Sequence, residues 1–191
     1  MGNKGENNRQ LIVEAADQLF YKRGYHQTSF RDIADATGIP RGNFYYYFKT
    51  KDDILNAVIE ARLQIYGDIL QACEQTASDP RQRLEHFSNM LANFEEDLVQ
   101  VGCPIGTLSS ELAKDRKDLQ QVSRAVFVLM RDWLVEQFTT LKCAKAEDKA
   151  MDMLARIQGI TVMASVFDDR AFIRRSLTEL QEWINEQAPA Y

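Results

Sequence analysis

Apolar residues recur at steps of three and four along nearly the whole chain, and few residues interrupt them. Leu11, Ile12, Ala15, Ala16, Leu19 and Phe20 make one such stripe. Leu84, Phe87, Leu91, Phe94 and Leu98 make another, and Val122, Val126, Leu129, Met130, Trp133, Leu134 and Phe138 a third. A repeat of about 3.6 residues puts side chains on one face of a helix, whereas a half-buried strand needs alternation. Only four prolines and nine glycines punctuate the 191 residues, too few for the closely spaced turns of a many-stranded fold. With 45% hydrophobic residues the chain can bury a sizeable core. An all-α protein is expected.

Start and stop signals divide it into nine helices. The first covers about 8–23, with Lys22 and Arg23 suited to the negative end of its dipole and Gly24 as a left-handed stop. Thr28 is the expected N-cap of a second helix over about 29–37, closed by Gly38. Pro40 opens a short third helix to about Tyr47, and Thr50-Lys51-Asp52-Asp53 reads as the cap of a long fourth. Asp79-Pro80 starts a fifth that continues through Leu98. Gly102-Cys103-Pro104-Ile105-Gly106 breaks the chain before a short sixth with Leu108 and Leu112. The seventh, eighth and ninth cover about 118–141, 146–167 and 170–187.

Several function classes drop out. No run approaches the roughly 18 apolar residues of a membrane span, and Met1–Gln10 lacks the apolar core of a signal peptide, so a cytoplasmic location and no membrane partner are expected. Cys73, Cys103 and Cys143 are odd in number and far apart, beside only two histidines. Neither a disulfide framework nor a metal site is expected. No clustered carboxylates, Ser–His or Cys–His arrangement suggests catalysis, and no cofactor is implied.

The charge is uneven. Residues 1–51 hold eight Lys/Arg against five Asp/Glu, a balance of +3, while the remaining 140 residues carry −8. A mildly basic head on an acidic body suits a chain that meets phosphate at one end, although chance unevenness gives the same balance. Within the head, Ala34 followed by Gly38-Ile39 fits a helix-turn-helix: a small residue where the helices cross, a glycine free to take positive φ, and an apolar residue for the small core. The next stretch contains five consecutive aromatics, Phe44 to Phe48. Phe44 and Phe48, four apart, share one face and are the expected core pair. Tyr45, Tyr46 and Tyr47 must then spread over exposed faces near Arg41, Asn43 and Lys51, where hydroxyls can reach phosphate and rings can pack on sugars and thymine methyls. An aromatic core helix is the alternative.

Residues 9 to about 60 resemble the DNA-binding domain of the tetracycline-repressor (TetR-type) family. The likeness rests on Leu19-Phe20, Gly24, Thr28, Ile33-Ala34, Gly38-Ile39, Gly42, Tyr45, Phe48, Lys51 and Leu55. The resemblance implies a nine-helix fold with a helix-turn-helix DNA-binding domain at 7–53 and a ligand-binding and dimerisation domain at 54–191. It implies a homodimer, a palindromic double-stranded DNA operator, and repression relieved by a small molecule. It also implies that Thr28, Arg41, Gly42, Asn43, Tyr45, Tyr46, Tyr47 and Lys51 lie at DNA-contacting positions, with Tyr47 where a histidine is common. In that frame Arg41 is the candidate reader of guanine and Lys51 a phosphate contact.

For the body the resemblance is architectural. Phe87, Met90, Leu91, Phe94, Leu108, Phe127, Met130, Trp133, Met163 and Phe167 are the aromatic, methionine and leucine residues available to line a cavity for a small hydrophobic ligand; an ordinary packed core is the alternative. The last two helices pair with their copies in the family, which points to Leu154, Ile157, Thr161, Ala164, Ile173, Leu177, Leu180 and Ile184 at a dimer interface, against packing within one chain. Gly102-Cys103-Pro104-Ile105-Gly106 resembles a G-C-x-x-G junction of some TetR-type regulators, including electrophile sensors. Cys103, just before a helix N-terminus, is either a reactive thiol or a buried inert one. Two further readings stay open: an architectural DNA binder without an effector, and a helical enzyme that merely contains a helix-turn-helix-like pair.

Overall fold

The structure, a computed structural model, describes residues 2–187, with side chains from residue 5 onward other than that of Arg41. Among the described residues there are ten helices and no strand. They are α1 (Gly2–Arg23), α2 (Phe30–Thr37), α3 (Arg41–Tyr47), α4 (Lys51–Thr76), α5 (Pro80–Asn93), α6 (Glu95–Val101), α7 (Pro104–Leu112), α8 (Lys117–Thr140), α9 (Ala146–Phe167) and α10 (Arg170–Gln187). The expected fifth helix is interrupted at Phe94, which closes α5 and opens α6 with φ −120° and ψ 18°. Taken as one bent helix, the pair restores the expected nine.

Two compact units emerge, divided after Gln64, after Gly106 and after Ala125. The first therefore joins the N-terminal segment to Thr107–Ala125 and is discontinuous in sequence. Its core gathers Ile12, Ala16, Phe20, Ile33, Ala34, Ile39, Phe44, Phe48, Ile54, Leu55 and Val58, all buried. The buried stripe of α1 is Ile12, Val13, Ala16 and Phe20; Leu11, expected inside, is exposed. Arg62 Nε donates to Asp17 Oδ1 at 2.6 Å, tying α4 to α1. Burial outweighs the attraction of Arg62 and holds the Asp17 carboxyl above its ordinary value, so this pair orients the helices more than it stabilises them.

In the second unit α10 packs on α5, α6 and α9. Leu84, Phe87 and Leu91 of α5 are buried, as are Met130, Trp133, Leu134 and Phe138 of α8. Asp79 caps α5, accepting from Arg81 N at 3.0 Å, with Pro80 as first helical residue, as the sequence suggested. Arg174 and Arg170 of α10 pair with Glu95 (2.6 Å) and Glu96 (3.0 Å) of α6. Helix α9 is long and apolar enough, by length and composition, to cross a membrane. Its inward face, Met153, Leu154, Ile157, Ile160, Thr161 and Ala164, is nonetheless buried within the unit, as in the core helix of a globular body.

Candidate functional site

The reading module begins at a tight turn. Gly24 takes φ +87° and returns its N–H to Phe20 O at 3.0 Å, which ends α1 as expected. The chain then drops inward. Thr28 is buried, and its hydroxyl donates to Gly24 O at 2.8 Å. Thr28 is therefore neither the N-cap nor an outward contact. Ser29 caps α2 instead: it receives Asp32 N at 3.3 Å, and the Asp32 carboxylate accepts from Ser29 N at 2.7 Å. The Ser29 side chain and backbone hold Asp32 below the usual carboxylate range. Gly38, at φ +67°, closes α2 through a 3.0 Å bond to Ala34 O.

Helix α3 splits its aromatics as the spacing required. Phe44 and Phe48 are buried, Tyr46 is 84% exposed and Tyr45 58% exposed. Tyr45 stacks on Phe30 with ring centroids 6.0 Å apart, and Lys49 Nζ donates to Tyr45 O. Asn43 and Gly42 are exposed, and nothing lies within 4 Å of where a Gly42 Cβ would stand. Tyr47 is half-buried and its hydroxyl accepts from Asn8 Nδ2 at 3.1 Å. Arg41 opens the helix, and its side chain lies outside the described residues.

Lys51 departs from expectation. Its ammonium turns inward, donating to Tyr25 O at 2.8 Å and Thr28 O at 3.0 Å, 4.1 Å from the centre of the Tyr25 ring. Burial pushes its pKa down. In this arrangement it is a strut under the turn rather than a phosphate arm. The α4 N-terminus is also capped: Asp53 accepts from Thr50 N at 2.8 Å and Lys49 N at 3.2 Å, with Asp53 N returned to Thr50 Oγ1 at 3.1 Å. That is the capping box the sequence announced.

A polar cluster that sequence reasoning missed braces the same turn. Glu111 accepts from Tyr25 N at 2.9 Å and His26 N at 2.8 Å. A Cβ on Gly24 would stand 2.8 Å from the Glu111 carboxylate, so the glycine supplies clearance as well as positive φ. His26 Nε2 lies 3.0 Å from Asp115. Tyr25 donates its hydroxyl to Asp52, which also receives Arg116 Nη2 at 2.6 Å, and Arg116 continues to Asp118 at 2.9 Å. Burial, then the bond to Asp52, pushes the Tyr25 phenol well above its ordinary value. The Arg116 hydrogen bonds hold Asp52 and Asp118 below the usual carboxylate range. Gly24 was the one local signal; Glu111 lies more than sixty residues from Tyr25, and Arg116 more than sixty from Asp52.

The proposed cavity residues divide. Phe87, Leu91, Met130 and Trp133 are buried in the second unit, with Phe87 and Trp133 rings 5.6 Å apart and Trp133 Nε1 donating to Glu74 at 2.8 Å. Met90 and Phe127 are half-buried there, and Leu108 is buried in the first unit. Phe94, Met163 and Phe167 are corrected to the surface, at 51%, 41% and 73% exposure. Phe94 is turned out by the α5–α6 break, and the other two flank the buried stripe of α9. The cleft of about 560 Å³ beside Phe94 is lined by Glu95, Glu96, Asp97, Gln100 and Arg170, a polar wall unsuited to a hydrophobic ligand.

The interface residues need the same correction. Leu154, Ile157, Thr161, Ala164, Ile173, Leu177, Leu180 and Ile184 are all buried inside the single chain, because their stripes pack within the unit. The large hydrophobic residues that α9 leaves in water are Met151, Val162, Met163, Val166 and Phe167, beside exposed Asp148, Asp152 and Arg156 in its first half.

Cys103 is half-buried, and its Sγ accepts from Gly106 N and from Gln158 Nε2, each at 3.4 Å. The flanking glycines have separate tasks. Gly102 takes φ +81°, and a Cβ on Gly106 would stand 2.3 Å from Gln158 Oε1. Burial pushes the Cys73 and Cys143 thiols up. Among the described residues no group of His, Cys, Asp or Glu is placed to hold a metal ion.

Comparison with known proteins bears on both halves. Residues 12–58 match bacterial regulatory proteins of the tetR family, and residues 80–178 match the C-terminal domain of LmrA/YxaF-like transcriptional regulators. An uncharacterized HTH-type transcriptional regulator in the lacX 3' region of Lactococcus lactis subsp. lactis is 28% identical, covering 85% of this chain and 86% of its own length. The HTH-type transcriptional repressor DhaR of Mycobacterium sp. (strain GP1) is 33% identical over 55% of this chain and 52% of its own. A TetR-family transcriptional regulator from Cytophaga hutchinsonii superimposes with a TM-score of 0.86 at 20% identity, covering 100% of both chains.

Proposed function

The chain belongs to the tetR family of DNA-binding bacterial transcriptional regulators, and we propose that it acts as a repressor, a homodimer that leaves a palindromic operator when a small hydrophobic ligand or an electrophile reaches its body. It is a regulator rather than an enzyme, and a DNA target is consistent with work in the cytoplasm.

The observation that carries this reading is the outer face of α3. Tyr45, Tyr46 and Asn43 stand in water on a helix whose other face is locked by Phe44 and Phe48. Hydroxyl and amide groups there suit phosphate oxygens, and the rings suit sugars and thymine methyls. Gly42 supports it further. Glycine weakens a helix, and no neighbour within the chain requires one; close approach of another molecule does. Arg41, at the first position of α3, is the proposed base reader. The test is affinity for a duplex that wild type selects from a random-sequence pool. The Arg41→Ala, Tyr46→Ala double variant is expected to lose it with melting unchanged; retained affinity removes α3 as the reader.

Dimerisation is assigned to the bare outer face of α9, where Val162 and Val166, and Met163 and Phe167, stand four residues apart. A dimer on a palindromic operator needs its two reading helices one helical repeat of DNA apart, about 34–36 Å. For the effector, the buried Phe87, Met130 and Trp133 are the apolar partners on offer, and Cys103 is the site for an electrophile. A maleimide or hypochlorite is expected to release DNA from wild type but not from Cys103→Ser. Release from both removes Cys103 as the site, and release from neither assigns control to a non-covalent ligand.

A further inference from the structure

Two successive residues of α1 touch two successive residues at the end of α3. Asn8 Nδ2 donates to the Tyr47 hydroxyl at 3.1 Å. The Arg9 guanidinium lies over the Phe48 ring, 5.1 Å from its centre. Both α1 residues precede residue 12, where the match to the family's DNA-binding region begins.

A phenol oxygen has one proton and two acceptor positions. When Asn8 fills an acceptor position from the protein side, the proton remains for an outside acceptor. Tyr47 lies one turn after Asn43 and next to the exposed Tyr46, so helical spacing puts its half-buried ring at the margin of the outward face. A donated hydrogen bond also polarises the phenol, strengthening it as a donor. From these contacts we infer that Asn8 is a positioning residue for operator binding: its amide directs the single Tyr47 proton to a DNA backbone phosphate, while Arg9 steadies the turn through Phe48. The inference rests on the reading of α3 as the DNA-facing helix.

The assignment has a distinctive signature because the donor is neutral. A tyrosine hydroxyl strengthens binding without exchanging a charge for counterions, so its loss should leave the salt slope unchanged. Full-length wild type, Asn8→Ala, Tyr47→Phe, the double variant and Asn8→Asp are compared on the duplex that wild type selects from a random pool, at several salt concentrations, with melting measured in parallel. Each single variant is expected to lose about tenfold in affinity, the scale of one hydrogen bond to a charged group, with the salt slope and the melting of Tyr47→Phe unchanged. The double variant should lose no more than the worse single one. Asn8→Asp should bind at least as poorly as Tyr47→Phe, since a carboxylate takes the phenol proton for itself. Single losses that multiply in the double variant overturn the proposal, as does wild-type affinity in Tyr47→Phe or in Asn8→Asp. If wild type itself selects no duplex, the DNA-binding reading has failed, a result distinguishable from all of these.

Discussion

Two surfaces of this chain leave large side chains in water, and they differ in what surrounds the carbon. On α3 the exposed rings of Tyr45 and Tyr46 end in hydroxyls and stand beside Asn43. The helix beneath them is fixed by an aromatic pair in the core. On α9, Val162, Met163, Val166 and Phe167 present no hydrogen-bonding hydroxyl or amide, on a helix whose opposite side is already buried. A hydroxyl-tipped surface is satisfied by acceptors interleaved with apolar sugar and methyl groups, as on DNA. A bare aliphatic stripe is satisfied by another such stripe. Exposure alone is similar in the two places; the polar atoms distinguish the surface proposed for nucleic acid from the one proposed for a second copy.

The strongest way to break this contrast is to charge the bare stripe. Val166→Glu or Phe167→Glu is expected to cost dimerisation about 2–4 kcal/mol, the scale of an interface hot spot, and to sediment as monomer at micromolar concentration with helicity intact. A dimer unchanged in both variants would falsify the assignment of this face. Substitutions at Ala164 or Leu177 cannot serve, because those side chains are buried within the chain and would unfold it.

Next comes the brace under the reading surface. Glu111→Ala leaves the Tyr25 and His26 N–H groups without their acceptor, and about 1–3 kcal/mol of stability should go with it. Thermal melting checks this, and a melting curve like that of wild type would show that water replaces the carboxylate at no cost.

Tyr46 and Lys51 sharpen the comparison as a pair. Tyr46→Ala should weaken DNA binding about tenfold, one contact's worth, and leave stability within about 0.5 kcal/mol. Lys51→Met should do the reverse, costing about 1 kcal/mol of stability without changing the salt slope, because its ammonium is engaged by Tyr25 O and Thr28 O. A slope reduced by about one would return Lys51 to the phosphates.

The smallest effect is acid sensitivity at Asp52. Arg116 holds its native value below that of the unfolded chain. The resulting stabilisation is complete above the ordinary carboxylate value near 3.9 and is lost as pH falls through the lower native value. Wild type should therefore lose stability more steeply than Arg116→Gln between about pH 5 and pH 3. Parallel melting profiles would show that the pair contributes nothing to folding.

What was legible in the sequence is what depends on neighbours three and four residues away. Gly24, Gly38, Asp79-Pro80 and the Thr50–Asp53 box mark their boundaries because caps are local. The Phe44–Phe48 pair was readable for the same reason. Thr28 was misplaced by one residue: Thr28 and Ser29 are both good caps, and only the inward turn of Gly24 to Thr28 decides for Ser29. Glu111, Arg116 and the orientation of Lys51 depend on contacts across the first unit, which no local pattern records. The faces of α9 were exchanged because its second half, after Arg156, carries no charge on any side, and periodicity there cannot tell which side a neighbour covers.

The boundaries of the two units cut through α4, α7 and α8 rather than through linkers. This has a consequence for anyone who wishes to transplant the reading head. A graft of residues 1–64 onto another effector body would arrive without Glu111 and Arg116, and so without the acceptor for the Tyr25 and His26 N–H groups and the partner of Asp52. A chimera that also carries Thr107–Ala125 keeps that brace but must splice three helices in mid-helix, where a change of one residue rotates everything beyond it by about 100°. Exchange of heads between relatives of this protein is therefore constrained by helical phase as much as by surface chemistry.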